Sequence, residues 1–195
     1  MNTKKVVLLD LMSTLMLDPF YETVNKLSGN IEEFMKFKNP AAYIQFESGK
    51  ITEDEYMKNI FLKDKENLAP FTAEQFRESM LGKSELLPGV IPLLKEIRPS
   101  CSIYIASNYG PWIENHFHNS GLDQMTDGYF VSHRLKVRKP DVQFFKKIIQ
   151  QLKISPSEIF FVDDQKQNVA SASTLGIDSL LAENGWMKIL KQKLI

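Results

Sequence analysis

Short apolar runs alternate with longer amphipathic stretches along most of the chain. The runs are rich in β-branched and aromatic residues, and they predict strands over residues 6–9, 102–106, 128–131, 159–162 and 177–181. Between the last four runs, apolar residues recur at helical spacing and predict helices over residues 111–119, 141–152 and 165–175. Strands that alternate with helices are typical of an α/β fold, so we expect a Rossmann-like core in which helices cover a parallel sheet.

A long segment after the first strand interrupts this alternation, because it contains no convincing strand and several helix starts of its own. Thr52 with Glu55, and Thr72 with Gln75, have the spacing of capping boxes, which mark the first turns of helices. We therefore expect two parts: a core from residues 1–16 and 86–195, and an inserted α-helical cap at residues 17–85. The aromatic residues of the cap are expected mostly to fill its interior: Phe34, Phe37, Tyr43, Phe46, Tyr56 and Phe61.

The charge of the chain is balanced, with 24 Lys and Arg against 24 Asp and Glu, so no long-range field attracts nucleic acid. The only cysteine is Cys101, which excludes an intramolecular disulfide and fits a reducing compartment. The apolar run at residues 6–9 is shorter than a signal peptide requires, and the longest uncharged stretch, residues 99–113, is too short to cross a bilayer. We therefore expect a cytoplasmic protein with no nucleic-acid or membrane partner.

Polar residues follow several of the predicted strands, at the edge where sheets of this class bind ligands. They are Asp10, Ser107, Asn108, Lys139, Asp163 and Asp164. Clustered carboxylates repel one another unless a cation lies between them, and their oxygens suit Mg²⁺. A lysine and a hydroxyl beside them offer positive charge and a hydrogen-bond donor to an anionic group. The set predicts a phosphate site, although each residue alone is also typical of a helix cap, a turn or an exposed loop.

Four segments resemble, in order along the chain, the four motifs of the haloacid dehalogenase-like hydrolase superfamily. They are VVLLDLMSTL, IASN, RKPD and FFVDDQKQN. The inserted helical segment resembles the small cap of the branch in which a cap follows the first motif. The paired Asp163 and Asp164, with the cap sequence ESGKITEDEY, look most like a group of phosphatases. That group includes sugar-phosphate phosphatases and the amino-terminal phosphatase domain of soluble epoxide hydrolases.

The resemblance implies a Mg²⁺-dependent phosphatase that acts on a small phosphorylated metabolite, such as a sugar phosphate, through an aspartyl phosphate. Asp10 would be the nucleophile, and Lys139 would neutralise the nucleophile and the phosphate together. The implied substrate-binding residues are Thr14, Ser107 and Asn108. The implied metal ligands are Asp10, the main-chain carbonyl of Met12, Asp164 and, beside it, Asp163. Asn168 stands where the family often has an acidic residue that supports the metal.

Position 12 departs from the family pattern, because phosphatases of the superfamily usually have a second Asp there that transfers protons. The thioether of Met12 cannot do this. In one explanation the leaving group needs little help, or its proton comes from the substrate or the cap, where Asp18 and Glu22 are candidates.

In a second explanation, the chain is a degenerate member that binds a phosphorylated ligand or a protein without turnover. In a third it is a 2-haloacid dehalogenase, whose departing halide needs neither a proton nor a metal. The acidic pair Asp163 and Asp164 favours a metal-dependent phosphatase over a dehalogenase.

Overall fold

A parallel sheet of five strands forms the centre of the protein. The computed structural model describes residues 6–82 and 84–195. Its strands are β1 (Val6–Leu9), β2 (Ser102–Ser107), β3 (Gly128–Val131), β4 (Ile159–Asp163) and β5 (Asp178–Leu181). Their order across the sheet is β3-β2-β1-β4-β5, with every neighbouring pair parallel. The α/β class and the Rossmann-like parallel sheet predicted from the sequence are confirmed.

The observed strands differ from the predicted ones by single residues. β2 and β4 each continue one residue further than predicted, to Ser107 and Asp163, and β5 begins at Asp178. Ser107 pairs with Val131 and Asp163 with Leu181 in the parallel ladders. Two of the predicted site residues therefore belong to the sheet itself, and its hydrogen bonds fix their main chain.

Helices surround the sheet within the described residues. Five lie in the segment predicted as the cap: α1 (Pro19–Ser28), α2 (Ile31–Met35), α3 (Pro40–Glu47), α4 (Glu53–Lys58) and α5 (Ala73–Leu81). Six accompany the strands that follow: α6 (Val90–Ile97), α7 (Ile113–Asn119), α8 (Ser132–Leu135), α9 (Val142–Leu152), α10 (Lys166–Ser173) and α11 (Trp186–Leu194). Helices α7, α9 and α10 correspond to the three predicted between strands. None of the helices in this part of the chain combines the length and the apolar composition needed to cross a membrane.

The middle strand, β1, is buried on both faces, as expected in a parallel sheet covered by helices. Val7 and Leu9 belong to the apolar cluster that contains residues of α6, α7, α11 and the cap. Val6 and Leu8 belong to a second cluster with residues of α9 and α10. Because successive side chains point to opposite faces, these four residues tie the strand into two cores and fix its register.

The segment predicted as the cap is helical throughout its described elements. Both predicted capping boxes are present. The Thr52 hydroxyl accepts from the Glu55 N–H, and the Glu55 carboxylate accepts from the Thr52 N–H. Thr72 and Gln75 form the same reciprocal pair of hydrogen bonds. The division into a core at residues 1–16 and 86–195 and a cap at residues 17–85 stays a prediction. Residues 1–5 and Lys83 of these segments lie outside the described residues.

Aromatic side chains join the helices α3 and α4 to the segment after β2. Phe46 stacks on Tyr56 with 4.6 Å between the ring centroids, and Trp112 lies 5.1 Å from the first ring and 5.9 Å from the second. Gly110 passes so close to Phe46 that a Cβ at this position would lie 2.5 Å from the ring. Any larger residue here would clash with this ring. The ring contacts place α3 and α4 next to the segment that follows β2.

Candidate active site

The predicted site residues gather where the order of the strands reverses. β1 has β2 on one side and β4 on the other, and doubly wound sheets bind ligands at such a point. Asp10 follows β1, and its backbone N–H donates to the carbonyl of Val162 in β4 at 2.9 Å. Ser107 ends β2 and Asp163 ends β4. Three neighbouring strands thereby bring these three side chains to one edge of the sheet.

Lys139 is almost completely buried at this edge, with 1% of its surface exposed. Its ammonium donates to Asp10 Oδ1 at 2.8 Å, to Asp163 Oδ2 at 2.5 Å and to the carbonyl of Ala106 at 2.6 Å. Burial lowers the pKa of Lys139, but the two carboxylates outweigh this effect and raise it. The lysine therefore stays charged and is shared by two anions.

Asn108 fixes the main chain of this lysine. Its Nδ2 donates to the carbonyl of Lys139 at 2.8 Å, and its Oδ1 accepts from the backbone N–H of Lys139 at 2.8 Å. Asn108 also lines the pocket described below. The structure therefore shows how Asn108 positions Lys139, whereas its binding of substrate stays a prediction.

Asp163 is fully buried, and the protein occupies both of its carboxylate oxygens. Oδ1 accepts from the backbone N–H of Gln165 at 2.8 Å and from Asn168 Nδ2 at 2.9 Å. Oδ2 accepts from Lys139 and, at 3.1 Å, again from Asn168. An amide at position 168 suits this arrangement, because a carboxylate there would repel Asp163. Asp163 is therefore the counter-ion of the buried lysine.

Asp10, Asp163 and Asp164 each place a carboxylate oxygen within 4.8 Å of the others. Burial raises the pKa of Asp10 to about 7. Lys139 opposes this shift, whereas repulsion from the other two carboxylates adds to it. Burial also raises the pKa of Asp164, which is half-buried and accepts a bond from Gln165 Nε2 at 2.6 Å. A divalent cation would relieve the repulsion, and carboxylate oxygens are the donors that Mg²⁺ prefers.

A pocket of about 230 Å³ opens over these residues. On the sheet side it is lined by Asp10, Met12, Ser107, Lys139 and Asp164, among others. Residues of the predicted cap line the remaining wall: Asp18, Tyr21, Tyr43 and Glu47. The pocket thus lies between the strand ends and the inserted helices, and its walls are mostly polar.

The turn after β1 brings Met12 to the pocket and leaves Thr14 behind it. Met12 is 9% exposed and lines the pocket, as does Ser13, whose φ of 60° lies in the left-handed region. Thr14 is fully buried, and its hydroxyl has no hydrogen-bond partner among residues 6–82 and 84–195. It does not line the pocket. The buried position of Thr14 does not favour contact with a substrate, and its role in binding substrate stays a prediction.

The pocket contains further residues to which the sequence assigned no role. Arg138 Nε lies 2.7 Å from Glu47 Oε1, so an ion pair joins the core to α3, although neither atom makes a well-directed hydrogen bond. Tyr43, expected in the cap interior, is half-buried and lines the pocket. The sequence gives only weak signals that Glu47 and Arg138 belong to the site. Glu47 opens the stretch ESGKITEDEY and Arg138 opens RKPD, but nothing in either segment shows that the two meet.

A second buried lysine lies in the inserted segment. Lys38 is 6% exposed, and its ammonium lies 4.3 Å from the ring centroids of both Phe20 and Tyr43. Burial lowers the pKa of Lys38 to about 8, whereas the nearby Glu47 and Asp18 act to raise it. Aromatic rings therefore surround this ammonium, in contrast to the carboxylates around Lys139.

The structure separates the two candidate acids of the cap. Asp18 lines the pocket and is the N-cap of α1, where its Oδ1 accepts from the Phe20 N–H at 2.9 Å. Glu22, one helical turn later, does not line this pocket and faces a groove between α1 and α5. Of the two carboxyl groups, Asp18 is the one that reaches the site.

Comparison with known proteins identifies the class of enzyme to which this fold and site belong. The family described as haloacid dehalogenase-like hydrolase matches residues 16–182. The match covers most of the chain, so the protein belongs to this family of hydrolases. The superfamily inferred from the four motifs is thereby confirmed, whereas its finer branch stays a prediction.

Two relatives are named for the hydrolysis of phosphate esters. Flavin mononucleotide hydrolase 1 of Arabidopsis thaliana is 29% identical over 181 residues, which are 92% of this chain and 72% of the relative. D-ribitol-5-phosphate phosphatase of Bacteroides thetaiotaomicron is 27% identical over 159 residues, 77% of this chain and 75% of the relative. The name of the plant protein refers to the chloroplast, so the predicted cytoplasmic location gains no support and stays a prediction.

Solved structures share the fold over nearly the whole chain. A haloacid dehalogenase family enzyme of Bacteroides thetaiotaomicron, in complex with magnesium and inorganic phosphate, has a TM-score of 0.73 at 22% identity and covers 95% of this chain and 98% of its own. An HAD-like family hydrolase of Porphyromonas gingivalis has a TM-score of 0.75 at 21% identity, with 97% of both chains covered. The L-2-haloacid dehalogenase of Xanthobacter autotrophicus reaches 0.66 at 17% identity, with coverage of 90% and 76%.

Proposed function

We propose that the protein is a Mg²⁺-dependent phosphatase that hydrolyses a small phosphorylated metabolite through an aspartyl phosphate on Asp10. The observation that carries this proposal is the buried ammonium of Lys139, which Asp10 and Asp163 share at the base of the pocket. A carboxylate attacks a phosphoryl dianion only where positive charge offsets their repulsion. The names of the two relatives support the same class of reaction.

The proposed roles follow from the hydrogen bonds. Asp10 Oδ1 is held by Lys139, which leaves Oδ2 to attack phosphorus. The ammonium of Lys139 neutralises the nucleophile and the incoming phosphoryl group. Ser107 lines the pocket at the end of β2 and donates its hydroxyl to a phosphoryl oxygen. Water then hydrolyses the aspartyl phosphate and restores Asp10.

The donor set of the site fits Mg²⁺. Asp10 and Asp164 line the pocket with carboxylate oxygens close to each other. The main-chain carbonyl of Met12 would supply a third hard oxygen. Asp163 keeps its place as counter-ion of Lys139, because its oxygens already accept hydrogen bonds. When bound, the cation supplies positive charge that stabilises the transferring phosphoryl group.

The cap side of the pocket supports a sugar or polyol phosphate as substrate. Tyr43, Glu47 and Arg138 offer a hydroxyl, a carboxylate and a guanidinium, which are groups that recognise hydroxyls. The pocket measures about 230 Å³, whereas sites for drug-sized ligands usually measure about 300–1,000 Å³. A compact polyol therefore fits this space better than the large ring system of a flavin.

The test is the initial rate of hydrolysis with Mg²⁺ and with a chelator, on p-nitrophenyl phosphate, acetyl phosphate and a panel of sugar, polyol and nucleotide phosphates. Asp10→Asn serves as the blank. Asp54→Asn makes the same substitution at an exposed position on α4 and serves as the matched control. We expect Mg²⁺-dependent turnover by the wild type and by the control, and none by Asp10→Asn.

The same assay distinguishes the two alternatives. Absence of turnover on every compound, with Mg²⁺ and inorganic phosphate still bound, would identify a binding module without catalysis. Metal-independent release of halide from a 2-haloacid, with no phosphate released from any ester, would identify a dehalogenase. Either result would overturn the proposed function.

A further inference from the structure

Position 12 leaves the proposed reaction without a proton donor in the first motif. The alkoxide that departs from an alkyl phosphate must be protonated, and the thioether of Met12 lines the pocket at the place where an acid is expected. The proton must therefore come from another group that reaches the pocket.

Most carboxyl groups of the pocket are already committed. Asp10 accepts from Lys139 and is the proposed nucleophile. Asp164 belongs to the proposed metal ligands. Glu47 lies 2.7 Å from Arg138. Each of these three groups therefore already has a cationic partner or a proposed role in the reaction.

Asp18 is the remaining pocket carboxyl on the cap side, and it is anchored through one oxygen. It caps α1, with Oδ1 accepting from the Phe20 N–H at 2.9 Å, and Pro19 occupies the first helical position. Within the described residues, Oδ2 accepts no hydrogen bond and no basic side chain lies within ion-pair distance of the carboxyl. The Asp18 carboxyl is therefore fixed at the wall of the pocket, and one of its oxygens is free of hydrogen bonds from the described residues.

We propose that Asp18 is the general acid of this phosphatase and protonates the leaving oxygen in place of the acid missing at position 12. The inference rests on the proposed function. The surroundings agree with it, because burial raises the pKa of Asp18. The Phe20 N–H and Lys38 lower that pKa, whereas repulsion from Asp164 raises it further.

The two half-reactions balance with Asp18 as the proton carrier. In the first, Asp10 Oδ2 forms a bond to phosphorus while the bond from phosphorus to the ester oxygen breaks, and the proton of Asp18 passes to that oxygen. The products are a free alcohol, the aspartyl phosphate and an ionised Asp18. In the second, the oxygen of water forms a bond to phosphorus while the bond from phosphorus to Asp10 Oδ2 breaks, one proton of the water passes to Asp18, and hydrogen phosphate leaves. Asp10 and Asp18 return to their starting forms.

The test compares leaving groups in Asp18→Asn. Asparagine caps helices as well as aspartate does, so the bond to the Phe20 N–H and the start of α1 are retained while the proton is removed. We expect kcat on the best alkyl phosphate to fall about 10²- to 10⁴-fold. On acetyl phosphate, whose leaving group needs no proton, we expect a change of less than about threefold. Asp54→Asn, the same substitution at an exposed position on α4, is the matched control and should match the wild type on both.

A double variant tests the role of Asp18 in proton transfer a second time. Met12→Asp in the Asp18→Asn background should restore alkyl phosphate hydrolysis, because it returns an acid to the pocket from the other side. Across substituted phenyl phosphates, log(kcat/KM) should fall more steeply with the pKa of the leaving phenol in Asp18→Asn than in the wild type.

Distinct results would overturn the two proposals. Equal losses by Asp18→Asn on alkyl and acetyl phosphates would show that Asp18 supports structure or binding, and the phosphatase proposal would stand. A wild type that hydrolyses acetyl and aryl esters but no alkyl ester would also overturn the role of Asp18. A wild type inactive on every compound would overturn the proposed function itself.

Discussion

Two buried lysines lie near the site, and they are held in opposite ways. Lys139, on the sheet side, donates to two carboxylates and a carbonyl, and its pKa is raised. Lys38, in the inserted segment, lies among the aromatic rings of residues that include Phe20 and Tyr43, and burial lowers its pKa to about 8. The charge of Lys139 is balanced by two carboxylates in direct contact. The charge of Lys38 is buried with no carboxylate in direct contact among the described residues.

The two sides of the pocket therefore differ in the chemical groups that they offer to a substrate. The sheet side holds a fixed arrangement of charge that the middle strands position before substrate arrives, which is what phosphoryl transfer requires. The cap side holds rings, one ion pair and the capping residue Asp18, which meet the sheet side only where the two parts of the chain pack together. Charge on the sheet side should therefore govern attack on phosphorus, whereas the cap side should supply the proton for the leaving group and govern the choice of substrate.

The largest effect is expected from removing one of the anions that Lys139 binds. Asp10→Asn should lower kcat on every phosphate ester by at least about 10³-fold, because it removes the nucleophile. Lys139 keeps Asp163 as a partner in this variant, so far-UV circular dichroism should match the wild type. Turnover retained on acetyl phosphate would contradict the assignment of Asp10.

Removing the cation itself should destabilise the fold. Lys139→Met leaves Asp10 and Asp163 facing each other in a buried site without positive charge. We expect the free energy of unfolding to fall by about 3–5 kcal/mol at pH 7 in the presence of a chelator. Urea denaturation measures this change. Lys146→Met, at an exposed position on α9, should stay within about 0.5 kcal/mol of the wild type. A similarly small change for Lys139→Met would show that its charge does not stabilise the buried carboxylates.

Removing the buried charge of Lys38 should instead raise the free energy of unfolding. The pKa of Lys38 is about 8 in the folded protein, against an ordinary lysine value of 10.5 in the unfolded chain. Below pH 8 both states are protonated and the folded state bears the full cost of the buried charge, about 3 kcal/mol. Between pH 8 and pH 10.5 the unfolded state binds more protons than the folded state. The contribution of Lys38 to the free energy of unfolding therefore rises with pH over this range.

Lys38→Met should therefore stabilise the protein at pH 7, by about 1–3 kcal/mol, and the gain should shrink by pH 10. Urea denaturation at both pH values measures the effect. Lys58→Met, an exposed position on α4, supplies the control and should show no such pH-dependent gain. A destabilised Lys38→Met at pH 7 would mean that its contacts with the aromatic rings outweigh the cost of burial.

The smallest expected effect concerns substrate preference. Glu47→Gln breaks the ion pair with Arg138 on the cap side and leaves Asp10 and Lys139 untouched. We expect the ratio of kcat/KM for the best polyol phosphate to kcat/KM for acetyl phosphate to fall about tenfold, since one hydrogen-bonded contact is lost. An unchanged ratio would remove Glu47 from substrate recognition.

The sheet side could be predicted from the sequence because each of its groups follows an apolar run. Asp10, Ser107 and Asp163 end or follow strands whose order and direction are set by burial of those runs, so their meeting required only a parallel sheet. The sequence could not show which member of the acidic pair faces the pocket. That depends on hydrogen bonds from Gln165 and Asn168, which occupy Asp163 and leave Asp164 to line the pocket.

The cap side could not be predicted in the same way. Glu47 meets Arg138 because the rings of Phe46 and Trp112 pack together, and the spacing of residues along the chain does not encode that contact. Asp18 and Glu22 were equivalent candidates in the sequence. The structure makes Asp18 an N-cap that lines the pocket, whereas Glu22 does not line it.

The aspartyl phosphate proposed on Asp10 can be trapped chemically. The protein is mixed with acetyl phosphate and Mg²⁺, quenched with borohydride, and the peptide that contains Asp10 is analysed by mass spectrometry. An aspartyl phosphate is reduced by this treatment, so a loss of mass at residue 10 is predicted in the wild type and is absent from Asp10→Asn. Reduction at a different residue, or steady turnover with residue 10 unmodified, would contradict the account.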